Sequence, residues 1–186
     1  MRMAVTKGEQ VRRRLLTAAA ELIGERGWSA VSTRILAEHA GVSASVVHYH
    51  FPSIQAVLSE AAVTAMREVL ETSQQVFAVA TSPADGVDAL LASVDQYSGT
   101  DPMSRLFVET YLAAGRDPEL RDRIAGLVTA FRTQITDWLA AHQVADPAAS
   151  AAILAAAVDG LLLHRSLGPL DDQVGAVLRR VVIPCE

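Results

Sequence analysis

A chain of 186 residues, 51% hydrophobic and 20% charged, can bury a sizeable core and should fold as a globular protein rather than stay disordered. Its single cysteine, Cys185, excludes an intrachain disulfide and suits a reducing cytoplasm. The net charge of −5 is uneven: residues 1–55 hold seven basic side chains, Arg2 and Lys7 among them, against four acidic, and the remainder carries −8, so the basic end alone points to a polyanionic partner.

From the N-terminus, Thr6-Lys7-Gly8-Glu9 has the form of a capping box. Leu15, Ala18, Ala19, Leu22 and Ile23 then fall on one face, and Gly27 is a stop, so the first helix spans about Glu9 to Arg26. This segment carries Glu21 and Glu25 and is unlike a secretory core.

The next stretch, STRILAEHAGVSASVVHYHFPS from Ser32 to Ser53, reads as a helix–turn–helix. With Thr33 first, Ala37 is the small residue where the two helices cross. Gly41 takes the left-handed turn, and Leu36 and Val47 bury the inner faces against the first helix. A helix Thr33 to Ala40 and a second from Ala44 to about His50 follow, the geometry in which the second enters a DNA major groove. Ala44, Ser45, His48 and Tyr49 then lie on outward and flanking faces, where small side chains permit close approach and rings reach phosphate, sugar or thymine methyl groups. His50 and Phe51 either anchor the helix to its successor or pack in the core. A metal at His48 and His50 is not expected, because residues two apart on a helix face different ways and no further ligands complete a set.

These residues resemble the tetracycline-repressor (TetR) family of bacterial regulators over about the first 60 positions. The resemblance implies a homodimer with two DNA heads, residues 1–52, on helical bodies, residues 53–186, that bind a small molecule. It places Thr33 on a phosphate and Arg34 on a phosphate or guanine edge, and it lines the recognition helix with Ala44, Ser45, Val46, His48 and Tyr49. The chain departs from the family pattern at His48, where tyrosine is usual, and at Ile54, where lysine is frequent. Helix amides near Ser53 then take over the phosphate contact.

A long helix without a breaker runs from Ser53 to about Ala80. Ser82-Pro83 (with Asp85), Asp101-Pro102, Asp117-Pro118 and Asp146-Pro147 each place an N-cap acceptor before a proline at the first helical position. Stops fall near Gly99, Gly115 and Gly168-Pro169, and Pro184 ends the last helix. The expectation is an all-α fold of nine or ten helices.

The helix after Pro118 carries an apolar stripe that includes Leu127 and Phe131. The helix after Pro147 is apolar all round, with Leu154, Val158, Leu161 and Leu162, and so needs cover on more than one side. The run Ala148 to Leu163 contains Asp159 and is shorter than the ~20 apolar residues of a membrane span, so no membrane partner is expected. Together these helices suit a four-helix dimer interface. Tyr97, Phe107, Tyr111, Phe131 and Trp138 either line an effector pocket or pack in the core, and the scarcity of inward charges favours a largely apolar or neutral effector. Asp159 and His164 either pair across the dimer or reach solvent, and lie too far around the helix to form a catalytic dyad. No nucleophile elbow, P-loop, zinc-protease or dinucleotide motif is present. The expectation is a cytoplasmic regulator without cofactor, most simply a repressor of a near-palindromic operator. The alternatives are a regulator without effector, an activator, and a helical enzyme.

Overall fold

Local side chains set most of the helix starts. Thr6 accepts from the Glu9 amide while the Glu9 carboxylate takes the Thr6 amide at 2.7 Å, completing the capping box, and α1 (Lys7–Arg26) runs to Gly27 at φ 82°. The Thr6 backbone bond holds the Glu9 carboxyl below its usual range. In this computed structural model residues 6–168 and 173–182 are described; Arg2, Pro169, Pro184 and Cys185 lie outside the described residues.

A 3-10 turn, Trp28–Ala30, leads into α2 (Thr33–His39), capped by Ser32, and then α3 (Ala44–His50). Gly41 adopts φ 63° between them, the left-handed conformation the turn requires. Ser53 caps α4 (Ile54–Val79), and Ser82, Asp101 and Asp117 cap α5 (Pro83–Asp95), α6 (Pro102–Ala114) and α7 (Pro118–Ala141). Asp146 departs from expectation. Pro147 opens α8 (Pro147–Arg165), but the Asp146 backbone turns to ψ 71° and its side chain makes no capping bond. The chain closes with the short α9 (Val174–Arg180). Helix α5 stops at Asp95, earlier than Gly99, which instead approaches the backbone of Ser166. The described residues contain nine α-helices and no strand.

Two cores hold these helices. The first joins Leu15, Leu22 and Ile23 of α1 to Leu36, Val47 and Leu58, and continues through Leu106 of α6 to Ile124 of α7. It therefore crosses from the N-terminal helices into the bundle without a break. The second gathers Phe77, Leu90, Phe131, Ile135, Leu139 and Leu154 under α9. Helix α8 is long and apolar enough by length and composition to cross a membrane, but it packs along α7 and carries Asp159 midway.

Candidate nucleic-acid interface and interior cavity

Val47 is buried in the first core, and its burial sets which face of α3 turns outward. Ala44, Ser45, His48 and Tyr49 are consequently exposed, with Tyr49 84% accessible. Val46 and Thr33 are half-buried, and Arg34 and Ser53 face solvent nearby. The arrangement presents one helix face of small side chains flanked by rings, dimensions suited to a major groove. Ser45 Oγ lies 2.8 Å from Ser43 Oγ, and the Tyr49 ring meets His50 edge-on at 5.1 Å. The Ser53 hydroxyl accepts the Ala56 amide at 3.1 Å, so its side chain belongs to the α4 cap.

Phe51 and His50 anchor rather than reach outward. Phe51 is buried beneath the Arg12 guanidinium, 4.3 Å from its ring centroid. The same guanidinium donates to the His50 carbonyl and pairs with Glu60, tying α1, α3 and α4 together. Sequence inspection gives no hint of this role for Arg12, since its partners lie 38 and 48 residues away. Among the described residues no three His, Cys, Asp or Glu side chains cluster where a metal would be held.

The body holds a partly open apolar cavity of about 50 Å³ between α4, α5, α6, α7 and α8. Tyr97, Phe107, Tyr111 and Phe131 line it, with Met66 and Asp159. Trp138 does not. Its ring fills the space that Gly86 leaves open, and packs against Phe77 and His142 in the second core. Outside the cavity, between α6 and α8, a groove of about 420 Å³ shares Phe107, Tyr111, Asp159 and Leu162 with it. At the junction the Tyr111 hydroxyl donates to Asp159 at 3.1 Å. Apolar surroundings push the Asp159 carboxyl above its ordinary range, with the Tyr111 hydrogen bond opposing. Burial and the adjacent carboxylate push the Tyr111 hydroxyl up as well.

The residues expected at a dimer surface divide by burial. Phe131 and Leu154 are buried in the protomer's own core, and Leu127, Val158, Leu161 and Leu162 are half-buried, packed inward or lining the cavity. The outward residues of α8 past its first turn are Ile153, Ala156, Asp159, Leu163 and His164, continued by Leu167 beyond its end. A helix apolar on every side cannot reveal from sequence which side faces out.

Helix α6 serves both regions. Met103, Phe107 and Tyr111 face the cavity, while Glu109 accepts the Trp28 amide at 2.8 Å and Leu106 enters the first core. Gly24 of α1 lies so close to the Pro102 backbone that a Cβ there would clash.

Comparison with known proteins agrees with this layout. Residues 15–61 match the bacterial regulatory proteins of the tetR family, and residues 81–184 match the tetracyclin repressor-like C-terminal domain. The HTH-type transcriptional regulator BetI of Rhizobium meliloti is 29% identical over 164 residues, covering 86% of this chain and 80% of that protein. The SCO7518 protein of Streptomyces coelicolor A3(2) is 28% identical, with a TM-score of 0.76 over 93% of this chain and 96% of its own. A Saccharomonospora viridis protein in complex with choline shares the fold at 22% identity and a TM-score of 0.73, over 93% of each chain. With its helix–turn–helix presented outward and both halves matched, the chain belongs to the tetR family of bacterial transcriptional regulators.

Proposed function

We propose that the chain acts as a homodimeric repressor, non-enzymatic, that reads a near-palindromic operator in the bacterial cytoplasm and releases it when a small molecule enters the cavity beside α6. One observation carries the reading: burial of Val47 turns Ala44, Ser45, His48 and Tyr49 outward together. In this reading Tyr49 and His48 contact phosphate or base edges, Thr33 and Arg34 hold the backbone, and the amide end of α4 supplies a further phosphate contact. Residues 1–52 are the reading head and 53–186 the responding body.

Two heads on one duplex need a fixed separation, about 34–36 Å for adjacent turns. The exposed α8 stripe from Ile153 to Leu167, beside the small outward residues Gly126 and Ala130 of α7, supports a two-fold interface of two helices from each subunit.

The cavity is far below the ~300–1,000 Å³ of drug-sized sites, so occupancy requires α6 and α8 to part. Because α6 also grips Trp28 and Gly24, its displacement moves α1 and the head with it. A ligand that prefers the parted state lowers operator affinity in proportion, about tenfold for each 1.4 kcal/mol of preference. Choline held by the Saccharomonospora viridis protein supports small-molecule occupancy of this fold. The small interior favours a second reading, a regulator without effector, for which a bound small molecule would leave operator affinity unchanged.

The test is selection of bound duplexes from a random pool, followed by anisotropy titration at several salt concentrations. The expected result is an enriched inverted repeat whose affinity falls by ~10³–10⁵ between about 50 and 200 mM salt. A folded dimer that enriches no sequence would overturn the reading.

A further inference from the structure

Three arginines stand in a row on α1, and only the first turns inward: Arg13 and Arg14 are exposed, whereas Arg12 is half-buried against α3 and α4. Helix α3 has only seven residues, and Val47 is the one it buries. One buried side chain decides which face turns outward but leaves so short a helix free to tilt about it. The start of α3 is fixed by the turn before it, where the Val42 amide donates to the Ala37 carbonyl at 2.9 Å. Its end is held from outside. The Arg12 guanidinium lies over the Phe51 ring, and its Nη1 donates to the His50 carbonyl at 3.4 Å. That carbonyl is one of those that the last turn of a helix leaves without a partner, at the negative end of the helix dipole, where a guanidinium is favoured. The other arm, Nη2, donates to both carboxylate oxygens of Glu60, so α4 fixes where the guanidinium lies. His48 and Tyr49, the exposed rings of the outward face, stand in the same last turn as the carbonyl that Arg12 grips. Hydrogen bonds to base edges are sensitive to a tilt of that turn, whereas the attraction of basic side chains to phosphates is not.

Resting on the reading of α3 as the recognition helix, we propose that Arg12 is a positioning residue for operator selectivity. It touches no DNA. Through the His50 carbonyl and the Phe51 ring it holds the C-terminal end of α3 at the tilt that sets Tyr49 and His48 on base edges. Its loss then costs discrimination between sequences and leaves the general affinity for DNA in place.

The probes are the duplex enriched by selection and a scrambled duplex of the same length, titrated by anisotropy into the full-length protein at several salt concentrations. Arg12→Ala should lose at least about tenfold in operator affinity, while its affinity for the scrambled duplex and both salt slopes stay parental. Arg14→Ala removes the same charge from the exposed neighbour and should leave the ratio of the two affinities unchanged. Arg12→Lys keeps the ion pair with Glu60, but its ammonium has no planar fork to lie on Phe51 and span to the carbonyl. It should unfold at the parental midpoint by circular dichroism without regaining parental selectivity, and it decides alone if Arg12→Ala fails to fold. A parental ratio in Arg12→Lys would give the role to the charge pair with Glu60 and overturn the proposal, as would an equal fall of the ratio in Arg14→Ala. Affinities for both duplexes that fall together would assign Arg12 to folding, and a salt slope lowered by about 1 would make it a phosphate contact; either overturns the proposal too. A parent that enriches no duplex removes the operator reading and this inference with it, whereas an enriched operator with an unmoved ratio removes the role of Arg12 alone.

Discussion

Tyr49 places 84% of its surface in water and so adds little to the stability of α3, which Val47 secures from the other side. Tyr49→Ala should therefore change unfolding free energy by less than about 0.5 kcal/mol. Operator binding should weaken by roughly 1–3 kcal/mol if the ring touches a base. Arg34→Ala should instead weaken binding to all sequences alike and lower the salt slope by about 1, the mark of a phosphate contact. Anisotropy titrations on matched and scrambled duplexes separate these outcomes; unchanged affinity in Tyr49→Ala would remove that side chain from the interface. This face was legible in sequence because Ala37, Gly41 and Val47 fix the turn and the buried side within fifteen residues. The cavity wall was not. Tyr111 and Trp138 are both aromatic residues on amphipathic helices, and only the contact of Trp138 with Gly86 assigns it to the core. The Tyr111–Asp159 pair spans 48 residues, and its formation depends on the register of α6 against α8, which no local pattern encodes.

Helix starts were legible for a related reason: a cap and its amides lie within three residues of one another. Asp101 is the strongest case, accepting the Met103 and Ser104 amides at 3.0 Å and the Ser104 hydroxyl at 2.6 Å. Burial raises its pKa, but the bonds from Ser104 and Ser98 prevail and hold it below the ordinary carboxylate value. A depressed folded-state pKa gives stability that is present above the unfolded value of about 3.9 and lost as pH falls through the folded one. Asp101→Ala should cost ~0.5–2 kcal/mol near neutrality, and the gap from the parent should narrow below about pH 4 in urea unfolding series. Asp146 had the same Asp-Pro signature and does not cap: its ψ of 71° falls short of the extended range usual before a proline, where Asp101 sits at 160°. The contact of α1 with α6 had no sequence signal at all. Gly24 reads as a weak point in a helix, yet it is where the Pro102 backbone passes. Gly24→Ala should force the helices apart at a cost of ~1–3 kcal/mol in denaturant unfolding. Glu109→Ala, which leaves the Trp28 amide without its acceptor, should cost ~1–3 kcal/mol by the same measurement. Parental stability in both would show that the head is not held by α6.

At the scale of the whole molecule, one core runs from the reading helices into α6 and α7, so head and body cannot rotate independently without disturbing Leu106 or Ile124. Rigid connection alone gives no operator selectivity over two half-sites. The second requirement is a fixed pair of heads, and in the proposed dimer the surface that meets it is the outward face of α8. Ile153 is 51% exposed and Leu167 83%, and neither lines the cavity or the groove, although Leu163 between them does line the groove. Burying them against a second copy removes apolar area from water without disturbing the protomer's packing, since Leu154 and Ala155 already hold the inner side. Ile153→Glu combined with Leu167→Glu would set like charges in that interface and should yield a folded monomer by sedimentation. Each head would then bind a half-site unaided, and affinity for the full inverted repeat should fall by the factor that linkage supplied, ~10²–10⁴. Half-site affinity should stay at the parental level. A double variant that remains dimeric would move the two-fold axis away from α8. A monomer that still binds the full repeat with parental affinity would mean that one head suffices, and that the near-palindrome is not what the protein reads.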